Sequence, residues 1–125
     1  MIDMDEQKFN EASKELKINE AIEEIFLLDK EGNIKFKFGD FELSADEAKG
    51  IIKTWTQKEN ALMFQGSRFA ILKNDEIQLA GKNIAQGRGN VVGSITKDGD
   101  YLVAHTKDEG MILEWSVLIN KIAWK

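Results

Sequence analysis

The stretch ALMFQGSRFAILKNDEIQLAGKNIAQGRGNVVGSITKDGDYLVAHT, residues 61–106, decides the fold. Apolar, β-branched and aromatic residues recur there in runs of four to six between Gly, Asn and Asp clusters, which predicts four or five short strands separated by turns. Lys97-Asp98-Gly99-Asp100 is the sharpest of these turns. Its Asp-Gly pair accepts the positive φ angles of a type I′ hairpin, with Gly93–Thr96 and Tyr101–Ala104 as the two arms. The implied core is an antiparallel sheet. Its apolar faces need cover, and the flanking segments carry helical spacing, so helices are expected to pack on it.

Toward the N-terminus, residues 3–17 are largely polar, and Phe9, Ala12 and Leu16 are spaced to give one narrow apolar stripe on a helix. Ala21–Leu28 and Asn33–Phe38 read as strands joined by the charged loop Asp29–Gly32. The second strand alternates, with Ile34, Phe36 and Phe38 on one face and Lys35 and Lys37 on the other. Ser44 and Glu47 form a capping box for a helix that carries Ala48, Ile51, Ile52 and Trp55 to about Thr56. Beyond the strand-rich stretch, Ile112, Trp115, Leu118, Ile119 and Ile122 mark one side of an amphipathic helix over Met111–Trp124. The expected order is helix, two strands, helix, a run of strands, helix. That is an α/β (α+β) fold in one domain, residues 1–125.

A chain of 125 residues can bury roughly 65–70% of its unfolded surface in one core. It has no cysteine, which removes disulfides, thiolate metal sites and cysteine nucleophiles, and no proline, so its turns rest on Gly, Asn and Asp. Seventeen basic against 22 acidic residues leave a net charge of −5, which disfavours nucleic-acid binding through the surface as a whole. No apolar run approaches the ~20 residues of a membrane span, and the N-terminus is acidic rather than basic and then apolar. The expected location is the cytoplasm.

Few residues offer catalytic chemistry. His105, the single histidine, sits near a strand end and reads as a surface or edge residue, with no Ser or Cys motif to partner it. Gly87–Gly93 has G-x-G-x-x-x-G spacing and leads into a strand rather than a helix, so it reads as a flexible turn and not a phosphate loop. The acidic pairs Asp29/Glu31, Asp75/Glu76, Asp98/Asp100 and Asp108/Glu109 fall at turns without calcium-loop spacing. Neither a metal nor a cofactor is expected. Arg68, Lys73, Lys82, Arg88 and Lys97 all lie in the strand-rich stretch. They read either as edge charges that discourage aggregation or as part of a docking face. In the second reading Ile71 shares a face with Lys73, and Ala80 with Lys82, a mixed surface suited to an acidic protein partner.

From about Glu20 to the C-terminus the sequence resembles a divergent profilin. The resemblance rests on FELSADEAKGIIKTW at residues 41–55, on Gly66-Ser67-Arg68-Phe69 and Ala70–Lys73, and on Gly81-Lys82. It continues through the Ser94–Val103 hairpin and the terminal helix. No single motif is diagnostic; their order and spacing carry it. The resemblance implies a central antiparallel sheet with the N- and C-terminal helices on one face and the middle helix on the other. It also implies a non-enzymatic protein that sequesters or delivers actin monomers. By position the actin site falls on Ile71, Lys73, Ala80, Lys82, Asn90, Val92, Met111, Leu113, Glu114 and Val117, with Ala80 standing where the family commonly has arginine. The family's polyproline groove lies between the terminal helices. Here Phe9 and Trp124 are its aromatic candidates, so proline-rich ligands should bind weakly or not at all. Phosphoinositide headgroups are a further implied ligand, and a monomer is the implied state. The N-terminal leader and short terminal helix imply an early-branching, archaeal-type version. A roadblock- or longin-like platform, which dimerises or binds a small GTPase, is the competing reading because it shares this mix of helices and antiparallel strands.

Overall fold

Apolar side chains on both sides of the central strands require a layer of helices above and below them. That is the arrangement seen in the computed structural model, which describes residues 5–18, 20–107, 110 and 112–124. The elements are α1 (Glu6–Lys17), β1 (Ile22–Leu28), β2 (Ile34–Phe38), α2 (Ala45–Gln57), β3 (Ala61–Phe64), β4 (Ser67–Asn74), β5 (Gln78–Lys82), β6 (Asn90–Ile95), β7 (Tyr101–Thr106) and α3 (Ile112–Ala123). The strands form one seven-stranded sheet in the order β2-β1-β7-β6-β5-β4-β3, with every neighbouring pair antiparallel. The expected element order and helix placement are therefore both observed.

Alternation along β1 feeds two cores. Ile25 and Leu27 join Phe9 and Leu16 of α1 and Trp115, Ile119 and Ile122 of α3 on one side. Phe26 and Leu28 join Ile51, Ile52 and Trp55 of α2 on the other. The helices start where their caps dictate. Asp5 accepts from the Lys8 amide at 2.8 Å, and Ser44 from the Glu47 amide at 3.0 Å.

Three local expectations change. The Ser44/Glu47 capping box forms only by half, because the Glu47 carboxylate accepts the amides of Gln65 and Gly66, each at 3.1 Å. Those two residues have positive φ, +50° and +78°, and join β3 to β4, so the I′-like two-residue turn lies there. In the 97–100 turn only Gly99 has positive φ (+90°); the Gly99 amide bonds the Thr96 carbonyl at 3.1 Å, as in a type I turn closed by a left-handed glycine. The third change concerns Ile34. A register shift between Leu27 and Leu28 breaks the alternation of β2, so that Ile34 packs on the α2 side while Phe36 and Phe38 pack on the opposite side.

The α2 helix seats on the sheet through Trp55, which stacks on Tyr101 with centroids 4.8 Å apart and donates from Nε1 to the Asp75 carbonyl at 3.1 Å. The indole lies directly over Gly93. A Cβ there would come within 2.8 Å of the ring, so glycine is required by close approach rather than by backbone angle. Gly93→Ala should cost about 1–3 kcal/mol by overpacking. Urea unfolding followed by tryptophan fluorescence checks this, with an unchanged midpoint as the opposing result.

Candidate functional site

Register places several of the predicted site residues together. Ala80 pairs with Val92 and Lys82 with Asn90 across β5 and β6, and Ala80 and Val92 both belong to the core beneath α3. By period two, Lys82 and Asn90 lie on that same sheet face. Ile71 does not join them. A register shift between Ile71 and Lys73 puts Ile71 against the α2 core, while the Lys73 ammonium donates to Gln78 Oε1 at 2.9 Å. Gln78 in turn donates to the Ser116 carbonyl of α3 at 2.7 Å. The expected pairing of Ile71 with Lys73 on one face is thus broken by the bulge.

Burial divides the remaining residues. Ala80 and Val92 are 1% exposed and Asn90 is fully buried, its amide donating to Thr106 Oγ1 and the Gly110 carbonyl. These three shape the face from beneath and present no side chain to a partner. Leu113 and Val117 are 64% and 59% exposed on the outer side of α3, with Glu114 also exposed between them. Met111, like the Asp108/Glu109 pair, lies outside the described residues. Leu72 was not singled out by the sequence, yet it is 59% exposed at the β4 bulge. An apolar residue between Ile71 and Lys73 in a strand gives no sign of exposure; only the bulge creates it.

The glycine-rich segment is built, not loose. Buried Asn83 uses its Oδ1 to accept the amides of Gln86 and Arg88 at 2.9 and 3.1 Å, and its Nδ2 to donate to the Arg68 carbonyl at 2.9 Å. Gly89, at φ +78°, packs so closely on β7 that a Cβ would lie 1.8 Å from the Thr106 carbonyl oxygen. The flexible-turn reading therefore gives way to an ordered loop.

His105 is likewise not an edge residue. It is buried between the rings of Phe64 and Phe69, with Nδ1 2.8 Å from Glu24 Oε2 and Nε2 2.5 Å from the Arg88 carbonyl. Both partners are acceptors, so both contacts are satisfied when each ring nitrogen carries a proton. Burial pushes the imidazole pKa down, but the bonds to Glu24 and to the Arg88 carbonyl, with the charges of Glu24 and Glu23, outweigh it and leave the pKa raised.

Between α1 and α3 runs a cleft of about 410 Å³ lined by Asp5, Gln7, Lys8, Glu11, Ala12, Glu15 and Ile122. Phe9, expected as an aromatic wall there, is 1% exposed and stacks beneath the helix on Phe36 at 5.5 Å. Trp124 is 41% exposed, but among the described residues no aromatic ring lines the cleft.

No protein-family model matches this sequence. Loki profilin-3 of Lokiarchaeum sp. (strain GC14_75) is 60% identical over 122 residues, covering 97% of this chain and 99% of that protein. The chain belongs to the profilin family. Its fold is also that of solved profilins. LokiProfilin1 in complex with rabbit actin superposes with a TM-score of 0.80 at 19% identity, over 95% of this chain and 93% of that one. LokiProfilin2 in complex with rabbit actin gives 0.76 at 20% identity, over 98% and 95%. Acanthamoeba castellanii profilin II gives 0.71 at 15%, over 90% of each chain.

Because the cleft is acidic and lacks aromatic walls, a proline-rich peptide should show no saturable binding below about millimolar concentration. Amide shifts of α1 and α3 residues during a peptide titration measure this. Saturation in the micromolar range would contradict it.

Proposed function

We propose that this chain binds monomeric actin through Lys73, Lys82, Leu72 and the outer side of α3, and regulates polymerisation by sequestering or delivering monomers. Membership of the profilin family supports the activity, and two relatives of the same fold are solved in complex with rabbit actin. One observation carries the location. Lys73 and Lys82 are half-exposed on the sheet, Lys73 is tied through Gln78 to the α3 backbone, and Leu72 on β4 with Leu113 and Val117 on α3 are exposed, offering apolar area for affinity and positive charge for an acidic partner. Ala80, Asn90 and Val92 support that face from below, and the arginine-to-alanine departure at Ala80 removes one cation from it. No substrate is turned over in this reading. The chain acts as one profilin-like unit over residues 1–125, as a monomer, in the cytoplasm beside actin. No helix among the described residues is long and apolar enough to cross a membrane. Phosphoinositide headgroups would meet the same lysines and compete with actin.

Lys82→Glu tests this most directly. The side chain reaches solvent and its loss should change stability by no more than about 0.5 kcal/mol. Reversed charge against an acidic partner should weaken binding by about 1 kcal/mol at a solvated rim and by several if the contact is desolvated. Val117→Ala should weaken binding with the melting temperature kept. Titration against labelled monomeric actin, with a polymerisation assay alongside, reads both. Parent-like affinity in a folded Lys82→Glu/Val117→Ala double variant would move the site elsewhere.

A further inference from the structure

The strand β1 carries two successive glutamates, and in a regular strand they would point to opposite faces. Here they do not. The β1–β7 register shifts between Ile22 and Glu24, and this bulge brings both carboxylates to the same imidazole. Glu24 Oε2 lies 2.8 Å and Glu23 Oε1 3.9 Å from His105 Nδ1. We propose that Glu23, Glu24 and His105 form a binding site for a zinc-class divalent cation. This site lies apart from the actin face and does not rest on the actin reading.

Four features carry the assignment. One ligand atom from each residue lies within 4.8 Å of the others. A tetrahedral zinc with bonds of about 2.0–2.2 Å separates neighbouring ligand atoms by about 3.3–3.6 Å, a range bracketed by the 2.8 and 3.9 Å separations. Small side-chain movements therefore suffice. Secondly, the outer contact that orients a ligating histidine is already present: Nε2 faces the Arg88 carbonyl at 2.5 Å, which favours a proton on Nε2 and leaves Nδ1 to face the carboxylates. Thirdly, charge is unbalanced. Among the described residues, the salt bridges to either carboxylate come from His105 alone, so two carboxylates share at most one positive charge. Fourthly, access is graded. The side chains of His105 and Glu24 are 10% and 15% exposed, whereas Glu23 is 44% exposed, leaving the ion an entry path and room for a water as fourth ligand.

One nitrogen with two carboxylate oxygens also selects the metal. Calcium and magnesium prefer all-oxygen sets, whereas imidazole suits zinc and its neighbours. Binding is an exchange at one atom. The Nδ1 proton that now bonds Glu24 leaves for solvent, and the nitrogen lone pair it frees binds the ion. The bound ion would tie β1 to β7, and through His105 Nε2 to the Arg88 loop.

The test is calorimetric titration of chelator-treated full-length protein with zinc chloride alone, run in parallel on Glu23→Gln. The exposed Glu23 makes that variant fold-neutral, which its melting curve verifies. One zinc per chain is expected, with affinity at least tenfold weaker in Glu23→Gln, and with the His105 ring resonances shifting at one equivalent. Three results would each overturn the site: no saturable uptake up to millimolar zinc, less than tenfold weakening by Glu23→Gln, or binding that leaves the His105 ring unshifted.

Discussion

Burial on both faces of the middle strands is the constraint from which the rest follows. Ile25, Phe26, Leu27 and Leu28 run consecutively along β1 and none is exposed, so successive side chains feed two separate cores. Each such side chain removed from water contributes about 1.5–3 kcal/mol, and leaving either face uncovered would forfeit half of them. The chain meets this by placing α2 on one face and α1 with α3 on the other. The inner side of α3 is consumed in the process: Trp115, Ile119 and Ile122 are buried. Leu113 and Val117, nearly half a turn away from that stripe, are left outside. Which side chains of α3 remain for the proposed partner face is thus set by how the core is closed.

Three register shifts decide which side chains end up where. At Leu27/Leu28 the shift sends Ile34 to the α2 core. At Ile22/Glu24 it gathers two carboxylates at His105, and at Ile71/Lys73 it separates an apolar residue from its cationic neighbour. A one-residue slip exchanges the faces of every side chain beyond it, so each bulge has a large local effect for one unpaired residue. Two of the three lie beside residues with a proposed binding role.

This explains what the sequence could disclose. The three helices were legible because the spacing of Phe9, Ala12 and Leu16, the Ser44 cap, and the Trp115, Ile119, Ile122 stripe are local properties of the chain. The order of motifs from Phe41 to Tyr101 was enough to point to the family. Faces were legible only as far as the next bulge. Ile71 and Ile34 were therefore assigned to the wrong side, and period two could not tell a solvent-facing position from one roofed by α3, as at Ala80, Asn90 and Val92. His105 and Asn83 were misread for another reason. A buried polar residue needs partners, and the decisive ones, Glu24 and Arg88 for His105 and Arg68 for Asn83, lie across distances in sequence that no local pattern reports.

Order in the docking face bears on how well it can bind. A free lysine side chain loses about 1.5–2 kcal/mol of rotamer entropy when it is fixed. Lys73 has part of that already lost in the unbound protein, because Gln78 holds its ammonium and α3 holds Gln78 through the Ser116 carbonyl. The same relay ties Lys73 of β4 through Gln78 of β5 to the backbone of α3. At the proposed docking face a partner would then meet a lysine that is already partly ordered, and less of the interaction energy would be spent on ordering it. Gln78 touches no predicted partner and carries no charge. Its contribution is to hold the Lys73 ammonium against the backbone of α3, a role set by the meeting of β4, β5 and α3 at one side chain rather than by any motif.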